Sequence, residues 1–368
     1  MLLALVISIG AMCAISAVLA IIMVIAESTI GNYGEVSISI NDGDKKIDAR
    51  GGKPLLTTLK EANVFIPSAC GGRGSCGLCK CKVKSGAGEI MPTELPWLSE
   101  AEKADHVRLS CQLKVKGDLQ VEIDPALLYV REFRTTVVGL VNLTHDIKQL
   151  TLKLDDPNSM DYKAGQFVQI ETPVYERTDE PVYRAYSMSS VPSSKNTIEM
   201  EIRLVPDGIC TTYVHKYLKV GDKMTVNGPY GEFHRSENDR HMICIAGGSG
   251  MAPLKSILYD MREKGINRKA TYFFGAKSKR DLFLLDEMKQ LERDMPSFTF
   301  IPALSAPDAE DKWEGETGLI TNIVDCHTED LSNAEAYLCG SPFMIDACIV
   351  VLKKHGMPEA NIFYDKFS

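Results

Sequence analysis

The chain has 368 residues, 45% of them hydrophobic, enough for two or three domains with cores of their own. Its net charge is −8 and its pI is near 5.5, so it offers no basic stripe to neutralise phosphates, which argues against nucleic acid as a partner. The eleven cysteines are odd in number and several sit in apolar, strand-like runs, a pattern of a reducing compartment rather than a disulfide framework.

The first segment, Leu2 to Ala26, reads LLALVISIGAMCAISAVLAIIMVIA and contains no charged residue. At about 1.5 Å per residue it would reach roughly 37 Å, more than a hydrocarbon core of about 30 Å. A cleaved signal peptide needs a basic start and an apolar run of about 7–15 residues. Neither is present, so residues 2–26 are expected to form a retained transmembrane anchor, with Cys13 as one of its apolar residues. A polar linker, ESTIGNYG, follows. VSISIND then alternates like a strand entering a turn. A second strand is expected before the cysteine-rich loop, and late strands in RLSCQLKVKGDLQVEID. Residues 35–128 read as one small mixed α/β domain.

The loop itself, CGGRGSCGLCKC, packs four cysteines and four glycines into residues 70–81. Its pattern is Cys70-x5-Cys76-x2-Cys79, then 31 intervening residues, then Cys111. Four thiolates hold a [2Fe–2S] cluster, and glycines at positive φ let backbone N–H groups approach its sulfurs. Structural zinc is the alternative, although zinc sites usually pair two C-x2–4-C elements and here the fourth cysteine, expected on a strand, stands alone. Cys81 is a fifth thiol, expected to pack nearby rather than to bind.

Residues 129–237 begin a new unit. TTVVGLVNLTHDIKQLTLKL reads as two strands and AGQFVQIETP as a third. RAYSMSS, GICT and GPYGEF follow in that order. Residues 238–368 read as a parallel α/β unit, with strands in HMICIA, ATYFFGA, SFTFIPAL, EAYLCG and NIFYD. HMICIA runs directly into GGSGMAPLKSIL, a strand–turn–helix in which Gly248, Gly250 and Pro253 form G-x-G-x-x-P. Such a turn brings backbone to a pyrophosphate at the positive end of a helix. Cys244, Cys326 and Cys348 read as core. The segment KSKRDLFLLDE leaves NADH or NADPH open on physical grounds. Lys277, Lys279 and Arg280 suit a 2′-phosphate, yet no acidic residue stands where a ribose hydroxyl would need one.

These motifs carry a resemblance. Residues 35–128 resemble a ferredoxin of the plant or vertebrate type, the x5 spacing being similar to the vertebrate and bacterial hydroxylase-linked class. R-x-Y-S followed by GICT and GPYGEF, then YLCGSPFM and the ending YDKFS, resemble the ferredoxin–NADP reductase superfamily. The implied fold is multidomain, α+β and α/β: an N-terminal transmembrane helix, a β-grasp [2Fe–2S] ferredoxin domain, an antiparallel β-barrel for FAD and a parallel α/β nucleotide-binding domain. The resemblance implies that Arg184 meets the FAD pyrophosphate and Tyr186 lies on the isoalloxazine. Ser187 would bond flavin N5, and Gly208 and Thr211 would meet the phosphates. It further implies that Cys339 sits by the nicotinamide, that Phe367 covers the flavin, and that Asp365 lies near the proton path. Closely similar sequences with a GAKSKRDLF element use NADH.

The order anchor, ferredoxin, flavin barrel and nucleotide domain resembles the F subunits of the sodium-translocating NADH:quinone oxidoreductases over nearly the whole chain. One departure is visible: only PVYERTDEPV stands before the R-x-Y-S motif, where that family usually carries an extra segment. The resemblance implies NADH oxidation through FAD and a [2Fe–2S] cluster. It also implies other membrane subunits of a respiratory complex as partners, quinone as the indirect acceptor, sodium translocation, and a place in the bacterial inner membrane with the soluble domains facing the cytoplasm. A membrane-tethered reductase serving an oxygenase is the alternative, and a redox scaffold without nucleotide turnover is a further one.

Overall fold

In a computed structural model the chain is described over residues 2–30 and 33–367, with the side chains of residues 9–24 in its first helix. Between residues 9 and 24 that helix, α1 (Leu2–Ile30), exposes apolar side chains on every face, Met12 at 69% and Met23 at 71% among them. A helix apolar all round needs an apolar surrounding. Among the described residues, no helix is long and apolar enough to cross a membrane. The anchor expected over 2–26 falls partly outside the described side chains.

The chain divides into two compact units, Met1–Ile66 with Gly72–Tyr129, and Pro67–Gly71 with Val130–Ser368. In the first unit, β1 (Glu35–Ile40) and β2 (Lys45–Arg50) precede α2 (Leu55–Glu61). β3 (Lys80–Ser85), α3 (Glu100–Ala104), β4 (Val107–Leu109) and β5 (Leu119–Glu122) follow. The sheet order is β2-β1-β5-β3-β4, with β1 and β5 parallel and the other pairs antiparallel. The alternation read in VSISI turns Val36, Ile38 and Ile40 inward, where they join Leu55 and Leu59 of α2 in one core. The late strands are shorter than the sequence suggested. After β4 the chain turns, Gln112 and Leu113 both donating to the Leu109 carbonyl, so Cys111 lies in a turn and not on a strand.

The second unit holds two sheets. The first comprises β6 (Arg131–Asn142), β7 (Ile147–Asp156), β8 (Phe167–Thr172), β9 (Val182–Ser187), β10 (Thr197–Arg203) and β11 (Lys223–Tyr230), with α4 (Ile209–Lys216) between the last two. It is antiparallel in the order β10-β7-β6-β11-β8-β9 and curls until Met188 bridges Met200. Leu150, Leu152, Val168, Ile198, Met200 and Val226 fill its core.

The second sheet comprises β12 (His241–Gly247), α5 (Met251–Glu263), β13 (Ala270–Ala276), α6 (Leu285–Asp294), β14 (Phe298–Leu304), β15 (Glu316–Thr317), α7 (Ile320–His327), β16 (Ala334–Gly340), α8 (Pro342–Lys354) and β17 (Ile362–Lys366). All its strands are parallel, in the order β15-β14-β13-β12-β16-β17. Chain direction across the sheet reverses between β12 and β16. Open parallel sheets bind ligands at such a switch point, beyond the carboxyl ends of the strands. At the opposite, amino edge, Glu335 accepts from Arg268, at 2.8 Å, and from Ser236 and Tyr337. That network ties the residues leading into β12 to β16, and its place makes it structural.

Cys244 and Cys348 are buried as read, but Cys326 is exposed. In α7 the inward residues are Ile320, Ile323 and Val324. Cys326 follows two positions after Val324, about 200° round the helix, and so faces outward.

Candidate functional site

β12 ends at Gly247, turns through Gly248–Gly250 and enters α5. The turn lies directly on the end of β16. A Cβ on Gly250 would stand 2.3 Å from the Cys339 carbonyl oxygen and 2.6 Å from its carbon. Glycine is required here by contact, not by φ. Pro253 is buried in the first turn of α5, where no intrahelical N–H is lost. The first-turn amides of α5 and the helix dipole thus face the switch point, a place for phosphate oxygens.

Beside this turn four expected residues converge. Cys339 on β16 pairs in register with Asp365 on β17. The Ser187 hydroxyl, at the end of β9, donates to Asp365 Oδ2 at 3.5 Å. Phe367 N–H donates to the Gly340 carbonyl at 2.9 Å, and its ring packs on the sheet core. Burial, then the Asp365 and Cys244 charges, push the Cys339 thiol well above the ordinary range. Cys339 therefore stays a neutral thiol, a positioning group and not a nucleophile. Burial pushes the half-buried Asp365 up to about 6, against the Ser187 hydroxyl, which favours the carboxylate.

A carboxyl whose folded pKa is raised contributes stability below its unfolded pKa, and this is lost as pH rises through the folded value. For Asp365 the window runs from 3.8 to about 6. Asp365→Asn should therefore flatten the pH dependence of the thermal midpoint between those values, and melting curves of both proteins check it. Parallel pH profiles for variant and wild type would contradict the burial of that carboxyl.

On the barrel, Arg184 donates to the Tyr183 carbonyl at 2.7 Å. Tyr186 packs at the margin of the barrel core, and burial raises its phenol above the ordinary range. Gly208 caps α4, whose first-turn amides point out of the helix end. Thr211 Oγ1 is turned the other way, accepting from Val205 N–H at 3.2 Å and donating to its carbonyl at 3.4 Å. Its hydroxyl closes the 205–211 loop. Cys210 and Thr212 fill the buried side of α4. Gln169 Nε2 and Thr172 Oγ1 of β8, and Ser189 Oγ, are among the buried polar atoms that have no hydrogen-bond partner among the described residues. Gln169 and Thr172 lie on the strand paired with the Arg184-bearing one. Unmatched donors of this kind suit a polar ligand. The sequence reading missed them, and the signal was polar residues at buried positions of FVQIET.

In the cysteine loop Gly71, Gly72, Gly74 and Gly77 all have positive φ, as the sequence implied. At Gly77 a Cβ would also stand 2.9 Å from the Trp97 ring. Cys79 and Cys111 are buried, and their thiols hydrogen-bond. That contact, then burial, holds Cys79 far above the thiol range. Gln112 Nε2 donates to Cys111 Sγ at 3.5 Å. Cys76 is half-buried in the same unit, and Cys70 lies in the Pro67–Gly71 segment grouped with the second unit. Among the described residues no group of three or more His, Cys, Asp or Glu stands ready for a metal ion. Neighbouring buried thiols ionise readily only when metal charge is supplied, so an all-cysteine donor set suits iron rather than a hard cation. Burial pushes Cys81 up to about 12, and its side chain lies in the core as expected. The sequence reading did not single out Arg108 and Glu94. These form a buried pair at 2.6 Å, and Arg108 also donates to the Ala87, Gly88 and Glu89 carbonyls. The pair pins the 87–94 segment to β4, next to Cys111.

Three family models match the chain in series. Residues 38–116 match the 2Fe-2S iron-sulfur cluster binding domain, 134–235 the oxidoreductase FAD-binding domain, and 244–349 the oxidoreductase NAD-binding domain. The cofactors are therefore a [2Fe–2S] cluster, FAD and a nicotinamide dinucleotide, and the orphaned amide and hydroxyls of the barrel fit a flavin ligand. The F subunit of a Na(+)-translocating NADH-quinone reductase from Neisseria meningitidis serogroup C is 37% identical over 95% of this chain and 96% of its own. The protein of the same name from Actinobacillus succinogenes is 38% identical over 98% of each. Among solved structures, the Amycolatopsis cytochrome P450 reductase GcoB superposes with a TM-score of 0.73 at 26% identity, covering 90% of this chain and 98% of its own. The ferredoxin reductase in carbazole 1,9a-dioxygenase superposes at 0.70 and 25%, covering 91% and 99%.

Proposed function

The chain belongs to the family of F subunits of the Na(+)-translocating NADH-quinone reductases, and on that premise we propose that it is the component through which NADH electrons reach a sodium-translocating, quinone-reducing membrane complex. It is an oxidoreductase that oxidises NADH by way of FAD and a [2Fe–2S] cluster. The observation that carries the reading is the junction at the switch point. There the Gly248–Gly250 turn, Cys339, Asp365 and the barrel's Ser187 meet.

When bound, FAD would supply a two-electron acceptor for the hydride of NADH and a one-electron donor onward, and the cluster would supply a one-electron carrier. The protein's part is placement. Gly248, Gly250 and Pro253 shape the turn that receives the dinucleotide pyrophosphate. Cys339, a neutral thiol, sets the nicotinamide edge of the crevice. Ser187 presents a hydroxyl to the crevice and donates it to Asp365 Oδ2 at 3.5 Å, so Asp365 in its protonated form would be a nearby proton source for a group accepting hydride beside that hydroxyl. Phe367, tied by its backbone to Gly340, closes the crevice. Arg184, Tyr186, Gly208 and Thr211 would hold FAD, Thr211 by shaping the loop. Cys70, Cys76, Cys79 and Cys111 would ligate the cluster. The domains would run 35–128, 129–237 and 238–368.

NADH is favoured over NADPH by what the basic residues after β13 already do. Lys279 Nζ donates to the Asp311 carbonyl at 2.9 Å, and Arg280 lies 3.8 Å from the Asp281 carboxylate. Residues 2–26 would anchor the protein in the bacterial inner membrane. The uncharged sequence supports this, as does the all-round exposure of the apolar residues of α1 described between 9 and 24.

The oxygenase-reductase alternative keeps the same chemistry and changes the acceptor. The solved reductases that favour it are 26% and 25% identical, against 37% and 38% for the two relatives from sodium-translocating complexes. Gentle detergent extraction of the tagged protein from its own membranes separates the two. We expect several hydrophobic subunits to co-purify, with NADH:quinone activity stimulated by sodium. Recovery with a soluble oxygenase and no sodium effect would move the protein to the other pathway.

A further inference from the structure

The helix that begins at the dinucleotide turn is fastened to the flavin barrel by a polar seam that the mechanism above does not use. Ser256 Oγ on α5 donates to the Ser190 carbonyl at 2.6 Å, three residues beyond Ser187. One position earlier, Lys255 is almost fully buried. Its ammonium lies 3.7 Å from Glu199 Oε2 and 3.9 Å from Glu201 Oε1, both on β10 of the barrel. Glu201 is buried to 4% exposure, and neither carboxylate oxygen has a hydrogen-bond partner among the described residues. The Tyr272 hydroxyl of β13 is likewise buried without a partner, and it lies within reach of the charges of Glu201, Cys244 and Cys339. The remaining charged group that bears on Glu201 is Glu287 of α6, which accepts from Tyr259 of α5 at 3.1 Å.

A core carboxylate facing one lysine without a hydrogen bond is a poor way to stabilise a fold, since desolvation exceeds the attraction at that distance. Its placement gives it another use. α5 carries the nucleotide turn at its amino end, and β10 and Ser190 belong to the barrel that carries Ser187. Whatever sets the spacing of α5 from β10 sets the spacing of the turn from that hydroxyl. We propose that Lys255 and Glu201 are a positioning pair that fixes the nucleotide-binding helix against the flavin barrel, and that the protonation of Glu201 tunes how well a bound dinucleotide is aligned. With Glu201 neutral, Lys255 answers to Glu199 alone. With Glu201 ionised, the ammonium is shared between two carboxylates across the seam. Burial places that change on the alkaline side of neutrality: it pushes Glu201 up to about 8, Lys255 acting against it and Glu199 and Glu287 with it.

The inference rests on the assignment of Gly248–Gly250 to the dinucleotide. It is tested on the holoprotein with NAD+ binding, followed by titration calorimetry, and flavin reduction by NADH, followed by stopped flow, from pH 6.5 to 9.5 (a range set around that value). The wild type should show a step in both readouts, on the order of five- to tenfold, on the alkaline side of neutrality. Glu201→Gln should hold the low-pH value throughout, and Lys255→Met should move the step to higher pH. A purely structural pair would change melting temperature and leave the profiles superimposed. Superimposed wild-type and Glu201→Gln profiles, or a step unmoved in Lys255→Met, overturn the proposal. Absence of flavin reduction by NADH at every pH would instead overturn the nucleotide assignment beneath it.

Discussion

Cys76→Ala should lose the visible absorbance of the [2Fe–2S] cluster and reduction of quinone by NADH, while flavin reduction by NADH continues close to the wild-type rate. Cys76 is half-buried in the glycine-rich loop of the first unit, and the β12–β16 junction to which the hydride chemistry is assigned belongs to the second. A cluster bound by four cysteines does not persist as such on three. Removing one ligand therefore interrupts single-electron transfer downstream and leaves the two-electron step untouched. Ferricyanide, which can take electrons from the flavin, separates the two in a steady-state assay. Loss of ferricyanide reduction in a folded Cys76→Ala protein that retains FAD would show that the electron path is not linear.

Gly250→Ala should have an effect of comparable size on the other half of the path. The backbone at Gly250 is ordinary, φ −61°, so alanine brings no torsional strain. The cost is contact. The added methyl would stand 2.3 Å from the Cys339 carbonyl oxygen, and both neighbours are backbone at the end of a buried strand. Turn and strand must separate by about an ångström, and misplacement on that scale costs on the order of a hundredfold in rate. Flavin reduction by NADH should fall by about that factor, with reduction by dithionite and the cluster spectrum unchanged. A wild-type rate in Gly250→Ala would remove the turn from the dinucleotide site.

Much of this architecture was legible because its signals are local. A continuous apolar run leading into glycines reads as a buried parallel strand and its turn, and HMICIAGGSG became β12 and its turn. Alternation in VSISI fixed which face of β1 is buried. The positive φ of the four loop glycines followed from the density of glycine among cysteines. What escaped depends on contacts between distant segments, or on local geometry that composition does not show. Glu201 and Lys255 lie 54 positions apart (255 − 201) and look like ordinary strand and helix charges until the fold buries both. Thr211 looked like a phosphate ligand because its motif resembles one, and only the loop geometry shows its hydroxyl bonded to Val205. Cys326 reads as core in the sequence, but helix phase turns it outward. Cys111 is expected on a strand because RLSCQLKVKGDLQVEID has the composition of late strands, but the turn after Leu109 prevails there.

The most direct test of the electron path is rapid mixing of NADH with the wild type and with Cys76→Ala, following flavin absorbance and the reduced-cluster resonance in the same samples. The account predicts that flavin bleaches first in both proteins, and that the cluster signal follows in the wild type and never appears in the variant. A cluster reduced before the flavin, or reduced by NADH in protein stripped of FAD, would contradict it.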